Sequence, residues 1–475
     1  MADDKDKNIR LQTVKITGGP KESYVKSLSI SHAVNEFARA EVVLEVKGKD
    51  GAKFLKEADM KVIKVTAKND SDVELFQGCL VSVSLEPSAQ VCTLRLTLCD
   101  AACLLDLKRA TCSFQKLDAK HEDLVKKVFD KTGTVNFEKV KDKPIKTMVL
   151  RLNETEWEFT RRMAGQIGAP IFTNAFAAKP LVTLGVPAPK HTLAINPSRI
   201  SRTYDDGKFQ FFSKDKKAVA EGLKLINEDF SVIHALGCRE YLNICDKAKI
   251  GDKEYLVKSV SARFNDSILN ADYELVGKES AFFMPIIPQK NIAGRVFRAQ
   301  VKKVEKDKVQ AHLIDVDEKY EEGTTFFPFA TAYSSQDGSG WYAMPEVDDY
   351  VRILFPSEDP GDAFAISSIN TAPLKEPKNK SLKAPGGREI LLTDKGIEII
   401  AEHQKTFIKL DKDKGINIVS AKDIVISADG NISFDSKGKV HLISQKEITS
   451  QSGQSQVKIL ANQIAMGGSN VIVGE

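Results

Sequence analysis

The stretch 408-IKLDKDKGINIVSAKDIVISADGNISFDSKGKVHLISQKEI-448 decides the fold of this chain. An apolar residue returns every eight positions, a second follows most of these by two, and polar residues or glycine close most units. Alternation at i and i+2 indicates a strand with one apolar face, and a fixed period indicates a stack of units that cannot bury their faces alone. The apolar members are Ile408, Leu410, Ile416, Ile418, Ile424, Ile426, Ile432, Phe434, Val440, Leu442 and Ile448.

The length of the unit indicates how many chains are needed. Eight residues are too few for a full turn of a single-chain β-helix, whose turns take roughly twenty residues. If each unit supplies one strand and one corner, other chains must complete each turn. Three copies around a threefold axis would close a triangular prism without free strand edges. The repeat therefore predicts an intertwined homotrimer, a triple-stranded β-helix over residues 388–475, with the eleven apolar residues facing the axis.

Composition sets limits on the function. The chain has 475 residues, enough for several domains, and its net charge of +4 gives no electrostatic case for nucleic acid. No apolar run of about 18 residues occurs, so no membrane span is expected. The segment Met1–Arg10 is charged and does not resemble a secretory signal. Seven scattered cysteines without a CxxC pair predict reduced, buried thiols in a protein made in the cytoplasm.

The rest of the chain is predicted to be mainly β, with a helical insertion. Short strands at the start indicate a first β-barrel, and alternation returns at 231–276 to indicate a second. Roughly five strands after Ile292 fit a small barrel of the oligonucleotide-binding (OB) type. The predicted domains are a first barrel (1–115), a helical insertion (116–190), a second barrel (191–290), an OB-type collar (291–371), a Pro- and Lys-rich linker (372–387) and the β-helix spike (388–475).

Two helices are predicted in the insertion, at 119–133 and 153–168. For the second helix, Asn153 is the predicted N-cap, Glu156 its capping-box partner and Gly168 the C-terminal stop.

Motifs for chemistry are missing. The seven histidines are far apart without HxH or HExxH spacing, and neither a phosphate-binding glycine loop nor a nucleophile elbow occurs. The basic run from Lys302 to Lys308 is interrupted by Glu305 and Asp307, and this alternation is typical of a solvated hairpin. The sequence predicts no catalytic residue, no metal site, no cofactor and no nucleic-acid partner. The linker 372–387 is also too short to hold a catalytic domain such as a lysozyme.

Three segments carry a resemblance to a known family. The segment 154-ETEWEFTRRMAGQIGAPIF-172 resembles a helix motif of hub proteins in contractile injection machines, with Glu154, Trp157, Phe159 and Arg162 at the motif positions. The segment 345-PEVDDYVRILFPSEDPGDAFAISSIN-370 resembles their small barrel, although Asp348 stands where the family usually has glycine. The terminal repeat resembles the triple-stranded β-helix of phage tail spikes. In this order the segments resemble hub-spike proteins: the valine-glycine repeat (VgrG) proteins of type VI secretion and the spikes of phage-tail-like particles.

The resemblance implies a non-enzymatic, homotrimeric hub and membrane-piercing spike. Its implied partners are an inner tube protein, baseplate proteins and a conical tip-cap protein or effector, with the target membrane pierced mechanically. The protein would be assembled into the injection particle and delivered outside or into a target cell. The alternative is a trimeric cell-surface or phage adhesin with a β-helical stalk, against which the hub helix motif argues. The kind of machine, the cargo and the target cell stay open.

Overall fold

The computed structural model describes residues 8–68, 72–88, 90–215, 217–368 and 376–470. The chain is mainly β, as predicted, and divides into two compact units, Met1–Thr371 and Ala372–Glu475. The predicted end of the collar at 371, the start of the linker and the motif residue Asn370 lie outside the described residues. No helix in the described parts of the chain is long and apolar enough to cross a membrane.

The first unit begins with strands that run through the predicted first barrel and the insertion. They are β1 (Lys15–Thr17), β2 (Ser23–Ala33), β3 (Arg39–Lys47), β4 (Val62–Lys68), β5 (Asp72–Glu86), β6 (Val91–Cys99), β7 (Arg109–Phe114), β8 (Thr134–Glu138), β9 (Val149–Thr155), β10 (Ile171–Thr173) and β11 (Leu181–Gly185).

The strands of the predicted second barrel and collar follow. They are β12 (Thr192–Ala194), β13 (Arg199–Tyr204), β14 (Ser231–Cys238), β15 (Lys247–Ile250), β16 (Lys253–Asn265), β17 (Ile268–Val276), β18 (Arg295–Glu305), β19 (Lys308–Leu313), β20 (Phe327–Pro328), β21 (Tyr350–Phe355) and β22 (Phe364–Ile366).

Helices are few in the described residues. The α-helices are α1 (Gly48–Glu57), α2 (His121–Phe129), α3 (Glu156–Ile167) and α4 (Asp206–Lys214). Short 3-10 helices lie at Leu11–Thr13, Ala101–Asp106, Asn227–Phe230, Glu279–Phe282 and Pro360–Asp362.

One large sheet joins the two predicted hub barrels. Its strand order is β1-β4-β5-β6-β3-β2-β16-β17-β14-β13, with β15 and β12 attached beside β16, and it forms a nearly closed barrel. The two halves meet where β2 pairs antiparallel with β16, and Ile30 lies opposite Ala262. Residues of both halves, such as Leu44 and Leu275, belong to the same buried core. The segments 1–115 and 191–290 thus build one shared sheet in this structure, while the predicted domain boundaries stay a prediction.

The helical insertion packs α2 and α3 around their own core. The N-cap of helix α3 lies two residues later than predicted, because Thr155 is the N-cap and its hydroxyl accepts the backbone N–H of Glu158 at 3.0 Å. Asn153 lies within β9 with a φ of 51°, so the predicted N-cap at Asn153 was wrong. The Glu158 carboxylate in turn accepts the Thr155 N–H, and this pair forms the capping box. The predicted stop at Gly168 is confirmed by its left-handed φ of 64°.

The third body of the first unit is a five-stranded antiparallel sheet in the predicted collar. Its strand order is β20-β19-β18-β21-β22, and a parallel bridge between Phe329 and Ala365 joins the two ends of this order. Val301, Ile353 and other apolar side chains fill the interior. Before β21, Asp348 has a φ of 72°, a conformation that glycine adopts without strain.

The second unit is built from antiparallel meanders. Its strands are β23 (Lys380–Lys383), β24 (Glu389–Leu392), β25 (Gly396–Glu402), β26 (Thr406–Asp411), β27 (Gly415–Val419), β28 (Glu447–Ser452), β29 (Ser455–Leu460) and β30 (Ile464–Gly467). Strands β23 to β27 pair in sequence order, and β28 to β30 do the same. The neighbouring repeat units around Ile408 and Ile416 therefore pair as antiparallel strands of one chain. The sequence had predicted a corner between them, with other chains completing each turn. Between β27 and β28, where every residue is described, no strand is assigned.

Candidate assembly interface

One face of the β23–β27 sheet consists of large apolar side chains. In successive strands Ile390 lies opposite Ile399, Ile399 opposite Ile408, and Ile408 opposite Ile418. These side chains share one face because direct cross-strand neighbours point the same way. We call this set the apolar face; its members are Leu382, Ile390, Leu392, Ile397, Ile399, Ile408, Leu410, Ile416 and Ile418. Their exposed fractions run from 37% to 70%.

The opposite face of the same sheet differs in chemistry. The Lys409 ammonium lies 2.6 Å from the Glu398 carboxylate across β25 and β26, and this hydrogen bond raises the pKa of Lys409 above its usual value. Ile400 and Phe407 lie beside this pair on the same face, with Ile400 buried. When a sheet has ion pairs on one face and exposed isoleucine and leucine on the other, we expect the apolar face to be covered by another layer or another chain.

The predicted residues farther along the repeat are also exposed. The exposed fractions lie between 47% and 76% for Ile424, Ile426, Ile432, Phe434, Val440 and Leu442. Ile448 lies on β28 opposite Ile459, which in turn lies opposite Ile464. The pattern of the apolar face thus returns in the last sheet. That these eleven residues face a threefold axis stays a prediction, because a single chain cannot cover them.

Sequence reasoning missed the upstream members of the apolar face. Leu382, Ile390, Leu392, Ile397 and Ile399 precede the repeat, yet two pairs of them show the same i, i+2 spacing. Their intervals break the period, since Ile397 follows Ile390 by seven positions and Ile408 follows Ile397 by eleven. Cross-strand register keeps these side chains on one face because the turns absorb the difference in length. Alternation in pairs, without a fixed period, was the signal that could have found them.

The hub motif forms a buried junction in the first unit. The Arg162 guanidinium donates to both carboxylate oxygens of Glu154, with Nε–Oε1 at 2.8 Å and Nη2–Oε2 at 2.7 Å. It also donates to the Leu150 carbonyl oxygen. The two side chains are only 7% and 14% exposed. A paired, hydrogen-bonded charge couple of this kind fixes the start of α3 against the end of β9.

The two aromatic motif residues extend the junction in different directions. The Trp157 ring lies 4.3 Å from the ring of Phe37, which follows β2 of the large sheet. The Phe159 ring lies 5.5 Å from Phe114 on β7, and the Arg162 guanidinium lies over its face at 5.3 Å. The motif therefore holds the helical insertion on the sheet and presents no open site.

A second polar junction lies beside the first and was not predicted from sequence. The Asp100 carboxylate is fully buried and accepts the N–H groups of Ala38 and Ala102 at 2.7 and 3.0 Å. It also accepts the hydroxyl of Thr173 at 2.5 Å, and the Thr173 oxygen lies 3.0 Å from Nε2 of the buried His32. Burial raises the pKa of Asp100 to about 6, although these hydrogen bonds act in the opposite direction. Three separate parts of the first unit therefore meet on one carboxylate.

This pKa predicts how stability depends on pH. The folded-state pKa of Asp100 lies above the ordinary value of 3.8, so protonation of this carboxyl group stabilises the folded state. This contribution to the free energy of unfolding is full below about pH 4 and is lost as the pH rises through 6. Relative to Asp100→Asn, the wild type should gain about 2 kcal/mol in free energy of unfolding between pH 7.5 and pH 4.5. Urea titrations at both pH values measure the difference.

The control for this experiment is Asp205→Asn. The backbone N–H of Lys208 lowers the pKa of Asp205, so this exposed carboxylate should stabilise the fold only above its ordinary pKa. Its difference from the wild type should shrink as the pH falls below 4, opposite in sign to that of Asp100. A pH-independent difference for Asp100→Asn would contradict the assignment.

Among the described residues, no group of three or more His, Cys, Asp or Glu side chains is arranged to hold a metal ion. The predicted lack of catalytic activity stays a prediction.

Comparison with known proteins finds similarity in fold only. No protein-family model and no curated protein matches the sequence. An E. coli component of the type VI secretion system, described as structurally similar to the bacteriophage T4 tail proteins gp27 and gp5, matches with a TM-score of 0.54 and 13% identity. The match covers 75% of this chain and 99% of that chain.

Two structures of the Francisella PdpA-VgrG complex contain a similar chain. The lidded form matches with a TM-score of 0.52 and 10% identity, over 83% of this chain and 76% of that chain. The half-lidded form matches with a TM-score of 0.52 and 9% identity, over 86% of this chain and 87% of that chain. The resemblance stated from the sequence is thus confirmed at the level of the fold.

Proposed function

We propose that this chain is the hub and spike of a contractile injection system. It acts as a homotrimer that joins the inner tube and baseplate to a needle, and it carries out no catalysis of its own. The first unit is the hub with its OB-type collar, and the second unit is the membrane-piercing spike.

The observation that carries the proposal is the apolar face. Nine large apolar side chains lie more than one third exposed on one side of a single-layer sheet. Monomeric proteins rarely leave such a patch open to water, and a lone sheet of this kind needs a second layer. Three copies of the sheet, each turning its apolar face inward, would cover one another around a common axis. This arrangement makes the trimeric β-helix the natural assembly of the second unit.

The order of the bodies along the chain supports the same function. The large sheet, the helical insertion and the small barrel come first, and the meanders with the apolar face come last. The small barrel pairs its strands in the order β20-β19-β18-β21-β22, with β20 and β22 bridged in parallel, an arrangement that suits an OB-type collar. The fold likeness to a type VI secretion component described as similar to T4 tail proteins extends over three quarters of the chain.

The proposed partners follow from this position in the machine. They are an inner tube protein, baseplate proteins, and a conical tip-cap protein or effector. A solved complex of this fold pairs VgrG with PdpA, which favours a further secretion component as a partner here. The protein is made in the cytoplasm and leaves the cell as part of the particle. The target membrane is pierced by the needle.

The experiment that tests the function is complementation in the cell that encodes the protein. Deletion of the gene should abolish assembly of the contractile sheath, observed with a fluorescent sheath protein, and the full chain should restore it. A chain ending at Thr371 keeps the hub but lacks the second unit, so we expect it to fail to restore delivery into target cells.

Normal sheath assembly in the deletion strain would contradict the proposal. Loss of adhesion to target cells with intact delivery would favour the adhesin.

A further inference from the structure

Three thiols converge on the outer side of the large sheet. Cys79 on β5 and Cys99 at the end of β6 are direct cross-strand neighbours. Cys103 follows in the short helix Ala101–Asp106, and its thiol lies within hydrogen-bonding reach of both. All three are free thiols. The cluster lies outside the main apolar core, which contains two other cysteines, Cys92 and Cys238.

The geometry allows a disulfide between members of the cluster. Directly opposed residues of antiparallel strands have Cα atoms about 4.5–5.5 Å apart, within the range of about 4.4–6.8 Å that a disulfide needs. Cys79 and Cys99 are each only 2% exposed, whereas Cys103 is partly exposed. Cys103 is therefore the most accessible member of the cluster, and its thiol lies beside the other two.

We propose that Cys103, Cys79 and Cys99 form a thiol–disulfide exchange site for low-molecular-weight disulfides. In the first step the Cys103 thiolate attacks one sulfur of the small disulfide, forms a mixed disulfide and releases one small thiolate. In the second step the thiolate of Cys79 or Cys99 attacks the Cys103 sulfur and releases the other small thiolate. Two protein thiols are oxidised, one small disulfide is reduced to two thiols, and the protons lost by the protein are taken up by the leaving groups.

The surroundings of Cys103 determine how the rate depends on pH. The hydrogen bond from Cys79 lowers the pKa of Cys103, but the bond to Cys99, burial and the nearby Asp100 outweigh it and raise the pKa to about 12. Arg39 is the nearby cation, and it acts on Asp100. Since only the thiolate reacts, the rate should rise about tenfold per pH unit from pH 7 to 9. An ordinary exposed cysteine, with a pKa near 8.5, would level off in that range.

The experiment treats the full-length protein with oxidised glutathione at pH 9. After acid quenching, alkylation of free thiols and peptic digestion, mass spectrometry identifies the linked peptides. We expect the loss of two free thiols per chain and a disulfide that joins Cys103 to Cys79 or Cys99. A Cys103 that stays reduced, or that stops at a stable mixed disulfide with glutathione, would overturn the proposal.

Matched variants separate the cluster from ordinary oxidation. Cys103→Ser should leave Cys79 and Cys99 reduced, because neither is open to the small disulfide. Cys92→Ser, on the same strand as Cys99 but facing the core, should form the internal disulfide at the wild-type rate. The single variants Cys79→Ser and Cys99→Ser each keep one thiol beside Cys103, so each should still form an internal disulfide. A Cys79–Cys99 bond that forms at the wild-type rate in Cys103→Ser would refute the assigned role, and if a variant does not fold, the wild-type mapping decides.

Discussion

Ile416→Asp is expected to raise the dissociation constant of the proposed trimer by at least about 1,000-fold, which corresponds to about 4 kcal/mol. Ile416 belongs to the apolar face and is 70% exposed in the single chain, so the variant chain should fold normally. In the trimer three aspartates would meet in a dry core, and burial of an unpaired carboxylate costs several kcal/mol per group. The effect should therefore appear in assembly and not in the fold of the monomer.

Asn417→Asp is the matched control, because it introduces the same side chain one position away. Asn417 lies on the other face of β27, opposite Lys409. Neighbours in a strand point to opposite faces, so this variant should stay trimeric. Sedimentation velocity over a range of concentrations compares both variants with the wild type. Equal behaviour of the two variants would mean that the apolar face is not the trimer interface.

Arg162→Met is expected to lower the free energy of unfolding of the first unit by about 3–5 kcal/mol, because Glu154 would keep a buried charge without its partner. The Arg162–Glu154 pair is almost fully enclosed, so water cannot replace the lost hydrogen bonds. The double variant Glu154→Gln/Arg162→Met removes both charges and should recover much of the loss. Such a recovery would indicate that the role of the motif is to stabilise the first unit.

The control uses a pair of the same kind at the surface. Arg109 donates to both oxygens of Glu158 at 2.8 and 2.7 Å, yet both side chains are more than 40% exposed. Arg109→Met should therefore cost no more than about 1 kcal/mol. Urea unfolding followed by fluorescence reports on α3 when Trp157 is the only tryptophan, which a Trp341→Phe background provides. Equal costs for the two arginines would contradict the buried-pair explanation.

Local patterns predicted the local elements of this fold. The i, i+2 pairs around Ile408 and Ile416 predicted strands with one apolar face, and the stop at Gly168 predicted the end of α3. The N-cap was misassigned because Asn153 and Thr155 are both good capping residues, and the choice depends on how far β9 extends. Spacing along the chain does not contain that information.

Long-range pairing could not be read from the sequence. Alternation in β2 and β16 predicts two strands but does not indicate that they pair with each other and join two barrels into one sheet. The Asp100 junction could not be predicted for the same reason, because its partners Ala38 and Thr173 come from distant segments. A buried carboxylate surrounded by N–H and O–H donors is recognised only after the fold has brought them together.

The pairing of β2 with β16 has a consequence for synthesis of the protein. More than 200 residues separate these strands. The ribosome needs roughly 10 to 40 s to synthesise them at typical translation rates, and β2 cannot pair with β16 during that time. During that time one edge of β2 is open to wrong partners, which makes the nascent hub a candidate for chaperone binding. The apolar face, from Leu382 to Ile418, is synthesised after β16. Each chain can therefore complete the large sheet before it exposes the surface proposed to bind another chain, and this order would protect folding from premature association.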